Sequence, residues 1–261
     1  GAAVTLVYVD ATKGWIVTDS GLQSDASELI SYIVATSPCV ATVGDYKIHT
    51  FTGPGTFTVS CAGNAAGSNT VDYLVVAGGG GSTQGGGGAG GFRESSGAAS
   101  GCYAASPLGA CVSALPVSVQ GYSIVVGAGG SGGMHLPPAN ENLAGNGSPS
   151  TFSSITSTGG GKGESSPGGS CTGGQPGGSG GGGSYLSNGS VVYTGNTPPV
   201  SPPQGNPGGW GVQPGGRGSG GGGGAISAGT NGTAPVNGPG GAGATSSINN
   251  TPTARAGGGG G

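Results

Sequence analysis

Val71-Asp72-Tyr73-Leu74-Val75-Val76-Ala77-Gly78-Gly79-Gly80-Gly81 carries an apolar strand straight into four consecutive glycines. The same join recurs where Ser123-Ile124-Val125-Val126 enters Gly127-Ala128-Gly129-Gly130. It recurs more weakly where Thr151 to Ile155 precedes Gly159-Gly160-Gly161. Strands draw on β-branched and aromatic side chains, and glycine weakens them. A repeated switch between the two therefore marks a junction between two kinds of structure.

Composition divides the chain at the same place. Of the 68 glycines in 261 residues, eight lie in residues 1–76 and the other 60 beyond. Charged residues make up 6% and aromatics 5%, against about 25% charged in an ordinary soluble domain. That leaves too little large apolar side chain for one conventional core of this length, which argues against an enzyme. Disorder usually comes with high net charge, and here the formal net charge is only −3. So weak a charge argues against electrostatic binding of nucleic acid or an anionic membrane. No apolar run approaches the roughly 20 residues that span a bilayer. The chain opens at Gly1 rather than Met, as a processed product or an excerpt would.

Four readings of a glycine-rich segment compete. A calcium β-roll needs an Asp in every nonapeptide, and no Asp follows Asp72. Collagen needs glycine at every third position, a register that starts at Gly205 and is broken at Pro214. A flexible linker is the third. The fourth is a bundle of polyproline-II-like helices. Such helices have three residues per turn, rise ~3.1 Å per residue and make no internal hydrogen bonds. Their N–H and C=O groups point outward, so six close neighbours can satisfy them all, and only glycine lets backbones approach that closely. The runs 85–91, 180–183, 220–224 and 257–261 are the expected rods. The expected loops are Phe92 to Leu115, Met134 to Ser150, Ser184 to Gln204 and Ile226 to Asn237.

Ahead of the glycines the reading is short strands. Val4 to Val9 and Gly14 to Val17 suggest a hairpin. Asp25 to Ala35 suits a short helix capped by Ser24 or Asp25, while Ser31 to Val34 equally suits a strand. Tyr46 to Phe51 and Thr56 to Val59 alternate around Gly53-Pro54-Gly55, a second hairpin signal. In the glycine-rich part, Val117 to Val119 and Ser123 to Val126 flank Gly121-Tyr122. The expected fold is all-β, with short β-modules (a β-sandwich) carrying the glycine-helix bundle and little or no α-helix. Its parts are a β-module or connector over 1–36, sandwich strands over 37–76 and the glycine-rich domain over 77–261.

Tyr46 to Val59 and Val71 to Gly81 together resemble the glycine-rich domain of phage tail-fibre and adhesin proteins. Gly85 to Arg93, Val125 to Gly130, Ser150 to Gly161 and Pro198 to Asn206 extend the likeness, which covers about residues 46–256. Similar sequences are frequent in phages of marine cyanobacteria, and Val4 to Trp15 looks like a short β-module of the same fibres. The resemblance implies an extracellular virion protein with polyglycine-II helices rooted on a β-sandwich, a plan comparable to the glycine-rich domain of the anaplastic lymphoma kinase receptors. The family usually closes with an apolar strand after its last glycines. The chain here ends at Gly261 without one, so truncation or a different closure is expected.

Motifs that suggest chemistry have simpler explanations. Gly127-Ala128-Gly129-Gly130-Ser131-Gly132 fits GxGxxG, but Pro137 and Pro138 follow where a helix should open. Gly159-Gly160-Gly161-Lys162 has Gly163 where a phosphate-binding loop needs Ser or Thr. His49 and His135 are the only histidines, and no carboxylate spacing suggests a catalytic pair. Cysteines 39, 61, 102, 111 and 171 form no CxxC pair; Cys102 and Cys111 can close a loop or remain thiols. The sequons at Asn146, Asn188, Asn231 and Asn249 read as glycosylation acceptors, or, in the first three, as Asn-Gly turns. No catalytic residue, cofactor or metal is expected.

Tyr103, Tyr185, Tyr193 and Trp210 are the candidate contacts for a receptor, since aromatic faces give area at low entropy cost. Packing against the glycine lattice explains them equally well. The expectation is a non-enzymatic virion component that attaches to a glycan or outer-membrane component of the host through loops, assembled with other virion proteins as a trimer or a monomeric tip. The alternative is a structural filament or capsid-decorating protein without a receptor.

Overall fold

The computed structural model describes residues 4–10, 12, 14–20, 30–99, 101, 103–133, 144–165, 173–187, 189, 192–213 and 217–261. Among the described residues the regular elements are strands, apart from 3-10 turns at Pro107–Gly109 and Tyr185–Ser187. The fold is all-β.

Val4–Asp10 (β1) and Gly14–Ser20 (β2) form the expected antiparallel hairpin, with Tyr8 and Trp15 ring to ring at 5.3 Å. Ile33–Thr36 (β3) is a strand, so a helix does not run through to Ala35; the expected caps Ser24 and Asp25 lie outside the described residues. β3 edges a five-stranded antiparallel sheet. It pairs with Gly55–Ala62 (β6), followed by Gln120–Val125 (β11), Ser150–Phe152 (β12) and Ile155–Ser157 (β13). Strict alternation sets its faces: Phe57 and Val59 are buried while Thr56, Thr58 and Ser60 are exposed. Phe57, Tyr122 and Phe152 meet with ring centroids 5.9 to 6.3 Å apart. Val117, Ile124 and Val71 complete that core.

Three local expectations are corrected. Tyr46–His49 (β5) pairs with Val40–Val43 (β4) rather than with β6. Gly44, at φ +55°, supplies the left-handed residue of that turn, whereas neither Gly53 nor Gly55 has a positive φ. Gly121-Tyr122 does not interrupt a strand: it lies inside β11, with Tyr122 opposite Phe57. Val71 to Ala77 is not one strand. Thr70–Val71 (β7) pairs with Leu115–Pro116 (β10), and Leu74–Val76 (β8) pairs with Phe92–Glu94 (β9). Ala244–Ser246 (β14) and Thr253–Arg255 (β15) form a hairpin the sequence reading missed.

The glycine runs are rods bonded sideways to one another. The run 85–91 donates from Gly85, Gly88 and Gly91 to the carbonyls of Glu164, Gly161 and Thr158, at 2.8 to 3.0 Å. The bonds step by three residues on both chains, the repeat of a polyproline-II-like helix, and the chains are antiparallel. Gly86 and Ala89 donate to Gly220 and Gly223, so that neighbour is parallel.

The run 219–225 lies at the centre of six neighbours. Its amides donate to three rods: Gly220 and Gly223 to Gly183 and Gly180, Gly221 and Gly224 to Thr230 and Ser227, Gly222 and Ala225 to Gly259 and Ala256. Its carbonyls accept from three others: Gly220 and Gly223 from Gly86 and Ala89, Gly221 and Gly224 from Gly209 and Asn206, Ser219 and Gly222 from Gly238 and Gly241. Every amide of 220–225 and every carbonyl of 219–224 is thereby bonded, which is the polyglycine-II lattice. A β-carbon on Gly222 would lie 2.0 Å from the Gly87 carbonyl oxygen, and one on Gly220 2.0 Å from that of Gly209.

Side chains enter the rods where a gap faces them. Ala225 points into an apolar cluster with Phe92 and Ala244 that joins rods to sheets. The hydroxyl of Ser179 faces Gly205, where a β-carbon would come within 2.2 Å of it. A lone rod has no internal hydrogen bonds to offset an ordering cost of about 1–2 kcal/mol per residue. A lone rod therefore stays disordered, and order comes with the assembled lattice.

Candidate functional site

The rod directions give the bundle two different ends. β8 leads into 77–81, β13 leads into 158–164, and β9 follows 85–91, which is antiparallel to both. All three strands therefore meet the bundle at one end. About six residues away along the rods, roughly 20 Å at the polyproline-II rise, lie the turns around 82–84, 185–189, 210–213 and 231–237.

A buried carboxylate shapes this loop end. Glu164, 2% exposed, accepts the Ser184 amide on Oε2 at 2.8 Å. Ser184 Oγ donates to Gln84 Oε1 at 2.7 Å, and the Leu186 amide donates to Ser184 Oγ at 3.2 Å. Ser187 closes the turn through its amide and hydroxyl, both donated to the Ser184 carbonyl. These bonds fix the 3-10 turn that presents Tyr185. The guanidinium of Arg217 lies over the Tyr185 ring at 5.0 Å.

Trp210 stands on the neighbouring rod. Its amide donates to Asn231 Oδ1 at 3.1 Å, its carbonyl accepts from Gly232, and the residue is 37% exposed. Two lattice bonds of 2.8 Å, Gly183 to Gly209 and Gly189 to Gly211, tie its rod to the chain on either side of Tyr185. Gly189, at φ +73°, lies beside the indole: a β-carbon there would be 3.9 Å from Trp210 Cδ1.

Of the four candidate aromatics, the structure brings together Tyr185 and Trp210. Tyr103 lies at the sheet end, where its hydroxyl donates to the Ser95 carbonyl at 3.2 Å and Ser95 Oγ donates to Asp72 Oδ1 at 2.7 Å. Burial pushes the Tyr103 phenol up to about 12. Tyr193 lies along the rods: its carbonyl accepts from Gly208, and its ring covers Gly174, where a β-carbon would be 2.5 Å from Cε2. The sequence reading missed Arg217, although bases are scarce enough there for each to be conspicuous.

Other features fit structural roles. The GxGxxG stretch is a rod, with Gly130 donating to Gly79 at 2.8 Å. His49 is held by Ser37 Oγ at 2.8 Å from Nδ1 and by the edge of Phe57 at 5.0 Å; burial, then Lys47, lowers its pKa. His135 lies outside the described residues. Cys39, Cys61 and Cys111 are free thiols; Cys102, the other half of the loop considered with Cys111, lies outside the described residues. Asn146 and Asn231 accept lattice amides from Lys162 and Trp210. A cleft at the sheet end, lined by Tyr73, Phe92, Arg93, Glu94, Leu108, Val112 and Pro202, has room for about one water, too little for a sugar or cofactor. Among the described residues no cluster of metal-ligating side chains occurs and no helix is long and apolar enough to cross a membrane.

A family model described as a glycine-rich domain matches residues 51–261. No curated protein and no solved structure matches the chain.

Proposed function

The chain belongs to the glycine-rich domain family, and on that premise we propose that it is a virion fibre or adhesin component of a phage, attaching the particle to its host. The lattice holds the loop end rigid, and Tyr185 and Trp210 are the receptor contacts. One observation carries this reading: two partly exposed aromatics share the bundle end remote from the sheets, each on a chain segment bonded into the rods. A rigid base lowers the ordering cost of loop binding. The receptor is a glycan or outer-membrane component, and the protein acts outside the cell without catalysing a reaction. Other virion proteins hold it at the sheet end, and copies of the chain assemble with it.

The test is binding of the purified chain to a panel of bacterial cells that includes marine cyanobacteria. Replacing all of Ser184 to Gln204 would also remove lattice bonds at Tyr193 and Gln204, so the informative variants are Tyr185→Ala and Trp210→Ala. Saturable binding that either variant abolishes, with melting unchanged, supports attachment. Absence of binding to every strain favours a purely structural filament or decoration protein.

A further inference from the structure

The arrangement around Arg217 names a ligand class for this surface. Arg217 is exposed and lies over the Tyr185 ring. A cation–π contact uses the charge of the guanidinium, whereas its five N–H donors, which lie in its plane around the rim, remain for a ligand. The rim geometry matches two oxygens of a carboxylate or sulfate. Held against the ring, the fork is already oriented, so less side-chain freedom is lost on binding.

The electrostatics of the loop end agree. Every Asp in the chain is at or before Asp72. Among the described residues the carboxylate at the loop end is Glu164, which is 2% exposed and bonded to the Ser184 amide. Lys162 lies two residues before it on the same rod. A chain of net charge −3 thus exposes the guanidinium of Arg217 at this end. Trp210, on the rod bonded to either side of the Tyr185 segment, is the exposed aromatic residue of the same end, and an indole face is a surface on which the C–H face of a pyranose rests.

We infer that the Tyr185–Arg217–Trp210 surface takes an anionic saccharide, with a carboxylate or sulfate ester on the Arg217 rim and a sugar face on Trp210. This rests on the attachment reading for its biological setting, and its chemistry is separately testable.

The experiment is calorimetric titration of the full chain with oligogalacturonate, with its neutral methyl ester, and with a sulfated galactan oligosaccharide. The expected result is binding of one or both anionic oligomers that weakens with added salt. The methyl ester should bind at least about tenfold more weakly than the free acid, and Arg217→Gln should lose about tenfold towards the anionic oligomers. Arg217→Lys should lose less, since it keeps the charge without the fork. Equal affinity for acid and ester, unchanged affinity in Arg217→Gln, or no binding of either anionic oligomer would overturn the inference. Should Arg217→Gln fail to fold, the comparison of acid and ester on the unaltered chain still decides. Cell binding lost in Trp210→Ala but unchanged in Arg217→Gln would keep attachment and overturn the anionic ligand. Absence of cell binding with a preference for anionic oligomers would do the reverse.

Discussion

The Gly222 amide donates to the carbonyl of Gly259 at 2.8 Å, joining the central rod to one near the end of the chain. The Gly222 carbonyl accepts from Gly241 on the opposite side, and its α-carbon faces the Gly87 carbonyl. One residue thus touches three other rods, and none of these contacts involves a side chain. Cohesion here is directional and main-chain, in contrast to the apolar burial around Phe57.

Substitution inside the lattice should therefore be far more damaging than substitution outside it. Gly222→Ala places a β-carbon 2.0 Å from a backbone oxygen, whereas one at Gly53 would meet nothing within 4 Å. Gly222→Ala should lose more than about 3 kcal/mol, beyond ordinary overpacking. Gly53→Ala should stay within about 0.5 kcal/mol of the parent. Denaturant melts of both variants check this.

Asparagine side chains finish rods where glycine partners run out. Asn206 Nδ2 donates to the carbonyls of Gly224 and Ala225 at 3.0 and 2.9 Å. Asn206→Ala takes this donor from the Ala225 carbonyl, while the Gly224 carbonyl keeps the Asn206 backbone amide; it should cost about 1–3 kcal/mol, whereas Asn206→Gln should retain part of that. Thermal melting distinguishes the three proteins.

The fold was legible where a local signal determines it. The glycine runs and the strands that feed into them exposed the rods, because absence of a β-carbon is a property of the residue itself. Pairing was less legible: the tight turn depends on the φ of Gly44 rather than on Gly53-Pro54-Gly55. Splitting of Val71 to Ala77 follows from two distant partners, β10 and β9. At the candidate site, aromatic identity pointed to Tyr185 and Trp210. Their grouping, and the place of Arg217, depend on which rods are neighbours, and identical glycine runs carry no such address.

Tyr103 should make the protein sensitive to alkali. Burial raises its phenol to about 12 from an ordinary value of about 10, so above that ordinary value the unfolded chain releases the proton first. Stability is then fully present below about pH 10 and falls as pH rises towards 12. Tm measured across this range should drop less steeply in Tyr103→Phe.

His49 gives the opposite edge. Its pKa lies below the ordinary value because the ring is buried, with Lys47 adding repulsion, so the unfolded chain takes up the proton first. Its contribution is present above about pH 6.5 and fades as pH falls through the lowered value. His49→Gln should flatten the Tm profile over that window.

Amide hydrogen exchange across residues 219–225 reads the lattice itself, because every amide from Gly220 to Ala225 is bonded to a neighbouring rod. These amides should exchange orders of magnitude more slowly than unstructured glycine, and lose protection together when Gly222 is replaced by Ala. Exchange at the rate of a free glycine-rich coil in the intact protein would contradict the lattice.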